Sequence, residues 1–87
     1  MKKLKILNLS HNQIRSFPNE LTELHLLTRL NISYNKIQQV PPSINQLTRL
    51  QELNLSNNEL DNKNGHKFPD INIFWELNTL DLSHNSL

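Results

Sequence analysis

Four times in 87 residues the chain spells nearly the same eight letters. They are LNLSHNQI at Leu7–Ile14, LNISYNKI at Leu30–Ile37, LNLSNNEL at Leu53–Leu60 and LDLSHNSL at Leu80–Leu87. Leu4, Leu27 and Leu50 open successive copies 23 residues apart, and Leu77 opens a fourth after 27. A unit this short cannot bury its own apolar face, so identical units must stack and share one interior. That requirement excludes most folds before any other property is considered.

Each position of the pattern L-x-x-L-x-L-x-x-N-x-L has a physical reading. In a short strand alternate side chains point to opposite faces, so Leu7 and Leu9 turn inward while Asn8 turns out. Leu7, Leu30, Leu53 and Leu80 then form one interior row. The asparagines Asn12, Asn35, Asn58 and Asn85 end the strands. Their amides carry donors and an acceptor for backbone groups that a buried turn would leave unpaired, and they should stack as a ladder. The return half of each copy is patterned too. Phe17-Pro18 followed by Leu21 and Leu24 matches Val40-Pro41 followed by Ile44 and Leu47. Proline suits a turn or the first position of a helix, so NELTEL and PSINQL are expected to make one or two helical turns whose aliphatics fill the convex side.

All four copies match at every consensus position, and on those residues the chain resembles the leucine-rich repeat family. The resemblance runs from Leu4 to Leu87. It implies an α/β solenoid: a right-handed curved stack with a short parallel sheet on the concave face and short helical or irregular segments on the convex face. Residues 1–87 are expected to form a single leucine-rich repeat segment, with repeats at about 4–26, 27–49, 50–76 and 77–87. The hydrophobic-Pro-x-x-hydrophobic return looks like the 23-residue class of intracellular scaffold proteins, including Ras-pathway scaffolds and Roco kinases. With Leu4 near the start and Leu87 at the last consensus position, neither end shows a polar cap. The expectation is therefore a fragment of a longer array, able to self-associate through uncapped ends.

The third copy departs from the period. After Leu60 comes DNKNGHK, residues 61–67, which reads as a surface loop inserted on the convex side. Phe68-Pro69 then resume the pattern, but the segment runs one residue short to Leu77. Trp75, beside Phe74, is expected to fill the enlarged core there.

Outward positions would form columns on the concave sheet. One runs Ile6, Arg29, Glu52, Thr79; the next Asn8, Asn31, Asn54, Asp81; then Ser10, Ser33, Ser56, Ser83; the last His11, Tyr34, Asn57, His84. The asparagine and serine columns are near consensus, so partner specificity is assigned to the varied ones: Ile6, His11, Arg29, Tyr34, Glu52, Asn57, Thr79 and His84. Tyr34 is the best single anchor, because an aromatic buries a large area with few torsions to freeze. Arg29 beside Glu52 reads as an ordinary exposed cross-strand pair, worth about 0–1 kcal/mol.

Composition narrows the function class. With one glycine and no cysteine there is no disulfide framework and no thiolate metal site. The formal charge of +1 is spread along the chain, so no basic stripe for nucleic acid forms, and Lys2, Lys3 and Lys5 cluster only at the amino end. No run approaches the roughly 20 apolar residues of a membrane helix, and polar residues interrupt MKKLKILNLS where a signal peptide would be apolar. A cytoplasmic protein is therefore expected. Ser10-His11 and Ser83-His84, with Asp81 nearby, look like hydrolase fragments, but a working trio needs contacts of about 2.6–3.2 Å and an oxyanion site. His11 and His84 stand three strands apart, roughly 14 Å, far beyond a shared metal, and His25 and His66 lie on the convex or loop side. Neither catalysis, cofactor nor metal is expected. The sequons at Asn8, Asn31 and Asn54 sit in one column about 4.8 Å apart, too close for three glycans, and follow from the repeat.

The expected function is binding of a protein partner on the concave sheet, within a larger intracellular scaffold or signalling protein. The alternatives are a regulatory segment of a Roco-type kinase or GTPase whose catalytic domains lie elsewhere, and a piece of an extracellular receptor ectodomain.

Overall fold

Leucines at equal spacing do align into one row. In the computed structural model, which describes residues 3–61, 68–70, 72 and 74–87, four three-residue strands form: β1 (Ile6–Asn8), β2 (Arg29–Asn31), β3 (Glu52–Asn54) and β4 (Thr79–Asp81). They pair in parallel in the order β1-β2-β3-β4. The register sets Leu7 beside Leu30, Leu30 beside Leu53, and Leu53 beside Leu80. A one-residue slip would turn every leucine to solvent, so burial of this row sets the register. The central members Leu30 and Leu53 are fully buried, and Leu7 and Leu80 pack against them partly covered.

Lateral hydrogen bonding continues past the strands. The backbone N–H groups of Leu9, Ile32 and Leu55 donate to the carbonyls of Asn31, Asn54 and Asp81 at 2.7–2.9 Å. The asparagine ladder completes the turn. Asn35 Nδ2 donates to the carbonyls of Ile32 and Ser33 in its own copy and to Leu9 in the copy before, while its Oδ1 accepts from the N–H of Ile14. Asn58 repeats all four bonds with Leu55, Ser56, Ile32 and Ile37. Asn85 does the same with Leu82, Ser83, Leu55 and Leu60. Each asparagine thus joins two copies as well as ending one.

On the convex side the two proline-led segments become 3₁₀ helices, Asn19–Glu23 and Pro42–Gln46. Pro18 and Pro41 precede them with φ of −68° and −69°, the values their rings impose. Leu21, Leu24, Ile44 and Leu47 are buried from this side, closing the core that the strand leucines open. The tightness of 3₁₀ winding suits segments of five residues that must return to the sheet within one 23-residue period.

The shortened third return overturns one expectation. Trp75 does not fill the core: it is 88% exposed, and Phe74 is buried instead. The N–H of Leu77 bonds to the carbonyl of Phe74, as those of Leu27 and Leu50 bond to Leu24 and Leu47. Phe74 therefore occupies the Leu24/Leu47 column, and Trp75 falls on the outward column of His25 and Thr48, both also exposed. Phe68 packs partly against the core. Of the loop expected at 61–67, only Asp61 is among the described residues, where it bridges in parallel to Ser86; residues 62–67, His66 included, lie outside them.

Candidate functional site

The concave side of the sheet carries the outward residues in the columns the spacing requires. Ile6, Arg29, Glu52 and Thr79 are consecutive partners across the four strands. Ile6 is exposed, an apolar group on an otherwise polar face. Arg29 Nε and Glu52 Oε2 meet at 2.8 Å with both side chains half open to water, so the pair contributes about 0–1 kcal/mol. It also neutralises the centre of the sheet. Thr79 donates its hydroxyl to Asn78 Oδ1 at 3.0 Å.

The next column is occupied by a turn device. Oδ1 of Asn8, Asn31 and Asn54 accepts both the backbone N–H and the hydroxyl of the serine two residues on, at 2.6–3.0 Å. Asp81 does the same for Ser83, at 3.0 and 2.6 Å. The Ser83 hydroxyl, then its N–H, hold the Asp81 carboxyl below its ordinary value, and the charge of His84 adds to this. Ser33 and Ser56 are buried by the arrangement and do not form an open column. It also bears on the hydrolase-like fragments: Ser10 and Ser83 give their hydroxyl protons to Asn8 and Asp81, not to an imidazole. Among the described residues, no group of three or more His, Asp or Glu side chains comes together around a point.

His11, Tyr34, Asn57 and His84 lie beyond the strands, each with φ between 55° and 59°. The left-handed conformation costs a residue with a Cβ about 1–2 kcal/mol. Asparagine and histidine are enriched there, and three of the four positions hold one. Tyr34 is the exception. Its ring stacks on His11, with centroids 4.4 Å apart and planes 11° from parallel, and its N–H bonds to the carbonyl of Ser56 at 3.0 Å. Half of Tyr34 remains exposed. The left-handed step turns these side chains to the rim of the sheet, where His11 and Tyr34 form one planar block.

Of the eight positions assigned from sequence, the fold thus joins Arg29 to Glu52 and His11 to Tyr34. Ile6 and Thr79 take the ends of the first column, Asn57 and His84 the far half of the last. The sequence reading missed the left-handed turn, which the recurrence of His and Asn could have revealed, and the consumption of each serine by its neighbouring asparagine, for which N-x-S in every copy but the last was the signal.

Comparison with known proteins adds two family matches. A family described as leucine rich repeat matches residues 1–37, and one described as leucine rich repeats, two copies, matches residues 25–68. No curated protein matches the chain. Among solved structures, a leucine-rich repeat protein of Leptospira interrogans is 42% identical with a TM-score of 0.87 over 97% of this chain. An internalin of Listeria monocytogenes is 32% identical with a TM-score of 0.79 over 98%. Internalin C2 of the same species shares the fold, with a TM-score of 0.77 over 99% at 22% identity. The chain spans 20%, 24% and 36% of the lengths of these three proteins, respectively.

Proposed function

This chain belongs to the leucine-rich repeat family, and on that premise we propose that it holds a protein partner on its concave sheet as a non-catalytic part of a cytoplasmic scaffold or signalling protein. Domains of this family are commonly protein-interaction modules. The observation that carries the reading is the grouping on one face of exposed Ile6, the Arg29–Glu52 pair and the His11–Tyr34 block. Apolar, aromatic and arginine groups on a rigid frame are the usual anchors of an interface. The backbone beneath them is already paired between copies, so ordering this face costs little on binding. The dispersed charge favours a protein partner over nucleic acid. Self-association through the ends of the stack belongs to the same proposal, since Leu4, Leu7, Leu9, Leu21 and Leu24 line a hollow that is mostly apolar.

A displayed peptide library selected on the wild-type chain tests the partner face. Peptides so selected should bind Tyr34→Ala and Arg29→Ala at least about tenfold more weakly, the loss of one hot-spot contact. Both variants should keep the wild-type unfolding midpoint within the range of surface substitutions. Undiminished binding to both variants would rule out this face.

A further inference from the structure

The turn device of the concave sheet fixes the direction of three side-chain amides. A backbone N–H can only donate, so the Asn8 atom lying 2.9 Å from the N–H of Ser10 is its carbonyl oxygen, and its NH₂ group faces the other way. The same holds for Asn31 and Asn54, each 3.0 Å from the N–H of its serine. The serine hydroxyls add a second donor to each oxygen, at 2.6–2.8 Å. What remains is donor only. Among the described residues none of these three NH₂ groups has a protein acceptor, and none of the buried side-chain nitrogens or oxygens lacks a partner, so all three meet water.

Strands about 4.8 Å apart place these groups in a row on which adjacent amides can each give one N–H to the two oxygens of a single carboxylate. A partner that covers the row strips away its water and must replace it with acceptors. The two ends of the row differ. Arg29 stands beside Asn31, its Nε engaged by Glu52, whereas Glu52 itself flanks Asn54, and the fourth strand ends the row with the carboxylate of Asp81. Resting on the reading of this sheet as the partner face, we infer that Asn8 and Asn31 together receive an acidic side chain of the partner, and that Asp81 turns acidic segments away from the fourth strand. The occupant is an acidic peptide segment bound in one polarity.

Asp81 also supplies the control. It makes the same two bonds to its serine as the asparagines do, so Asn31→Asp keeps the turn while replacing the outward donors with a carboxylate. The isotope-labelled chain is titrated with oligoglutamate, oligoglutamine and oligolysine while the side-chain NH₂ resonances are followed. Oligoglutamate should shift those of Asn8 and Asn31 saturably and the other two peptides should not. Asn31→Asp should weaken oligoglutamate binding about tenfold or more. Asn45→Asp makes the same change on the exposed convex side and should leave binding unchanged. Asp81→Asn should strengthen it. Unmoved Asn8 and Asn31 resonances, or equal losses in Asn31→Asp and Asn45→Asp, would overturn the assignment. Library peptides that depend on Tyr34 and Arg29 but tolerate Asn31→Asp would leave the partner face standing and remove the carboxylate site; indifference to all three variants removes both.

Discussion

From the second copy on, one asparagine ties each turn to the copy before it. Asn58 is buried and satisfies the carbonyls of Ile32, Leu55 and Ser56 and the N–H of Ile37. Asn58→Ala would orphan the N–H of Ile37 and leave each carbonyl with one donor: Asn35 for Ile32, Asn85 for Leu55 and the N–H of Tyr34 for Ser56. An unpaired buried group costs about 1–3 kcal/mol and each lost bond about 0.5–1.5 kcal/mol. We expect a loss of about 3 kcal/mol or more, read from urea denaturation at unchanged slope. Asn12 makes only the two bonds of its own turn among the described residues and is exposed, so water replaces it. Asn12→Ala should therefore cost about 1 kcal/mol or less. Equal losses at the two positions would show that the ladder is not what stabilises the turns.

At the scale of the element, the third return segment shows how a deletion is absorbed. Counting forward from Phe68 by the offset that separates Phe17 from Leu24 puts Trp75 in the core; counting back from Leu77 puts Phe74 there. The structure follows the second count, because Leu77 leads into residues locked to the sheet. The N–H groups of Asn78 and Thr79 both donate to the carbonyl of Gln51, at 2.9 and 3.1 Å. The end tied to the ladder keeps its phase. Phe74→Ala should then cost about 3–5 kcal/mol, whereas Trp75→Ala should fall within about 0.5 kcal/mol of wild type. The opposite order in thermal or denaturant unfolding would place the indole inside after all.

At the scale of the whole molecule, a stack of like units is held by nearest-neighbour contacts, so stability follows how many neighbours each unit has. Ile32 and Leu55, from the second and third copies, are fully buried, while Leu9 is only partly covered. Although the amides of all three are bonded across the sheet, that of Leu9 should exchange with solvent fastest, through local opening of the first copy. If the ends of the stack associate, exchange at Leu9 should slow as protein concentration rises while Ile32 and Leu55 hardly change. Uniform exchange at the three amides would contradict neighbour-limited stability, and a Leu9 rate independent of concentration would remove the self-association proposal.

The repeat by itself determined the parallel order, the row of Leu7, Leu30, Leu53 and Leu80, and the ladder of Asn12, Asn35, Asn58 and Asn85. With four equal patterns and one interior, only a single register buries every leucine, so residues 23 apart become neighbours with no freedom left over. It also put Arg29 next to Glu52 and His11 next to Tyr34, without revealing that the first would close to 2.8 Å and the second stack. Tertiary structure decided what depends on direction, not position. It set which way each concave amide points, where a left-handed step sends the His11 and Tyr34 rings, and whether Phe74 or Trp75 turns inward. Those outcomes are fixed by hydrogen bonds to the adjoining turn and by the mechanical anchoring of the next strand, and neither is written in a hydrophobic period.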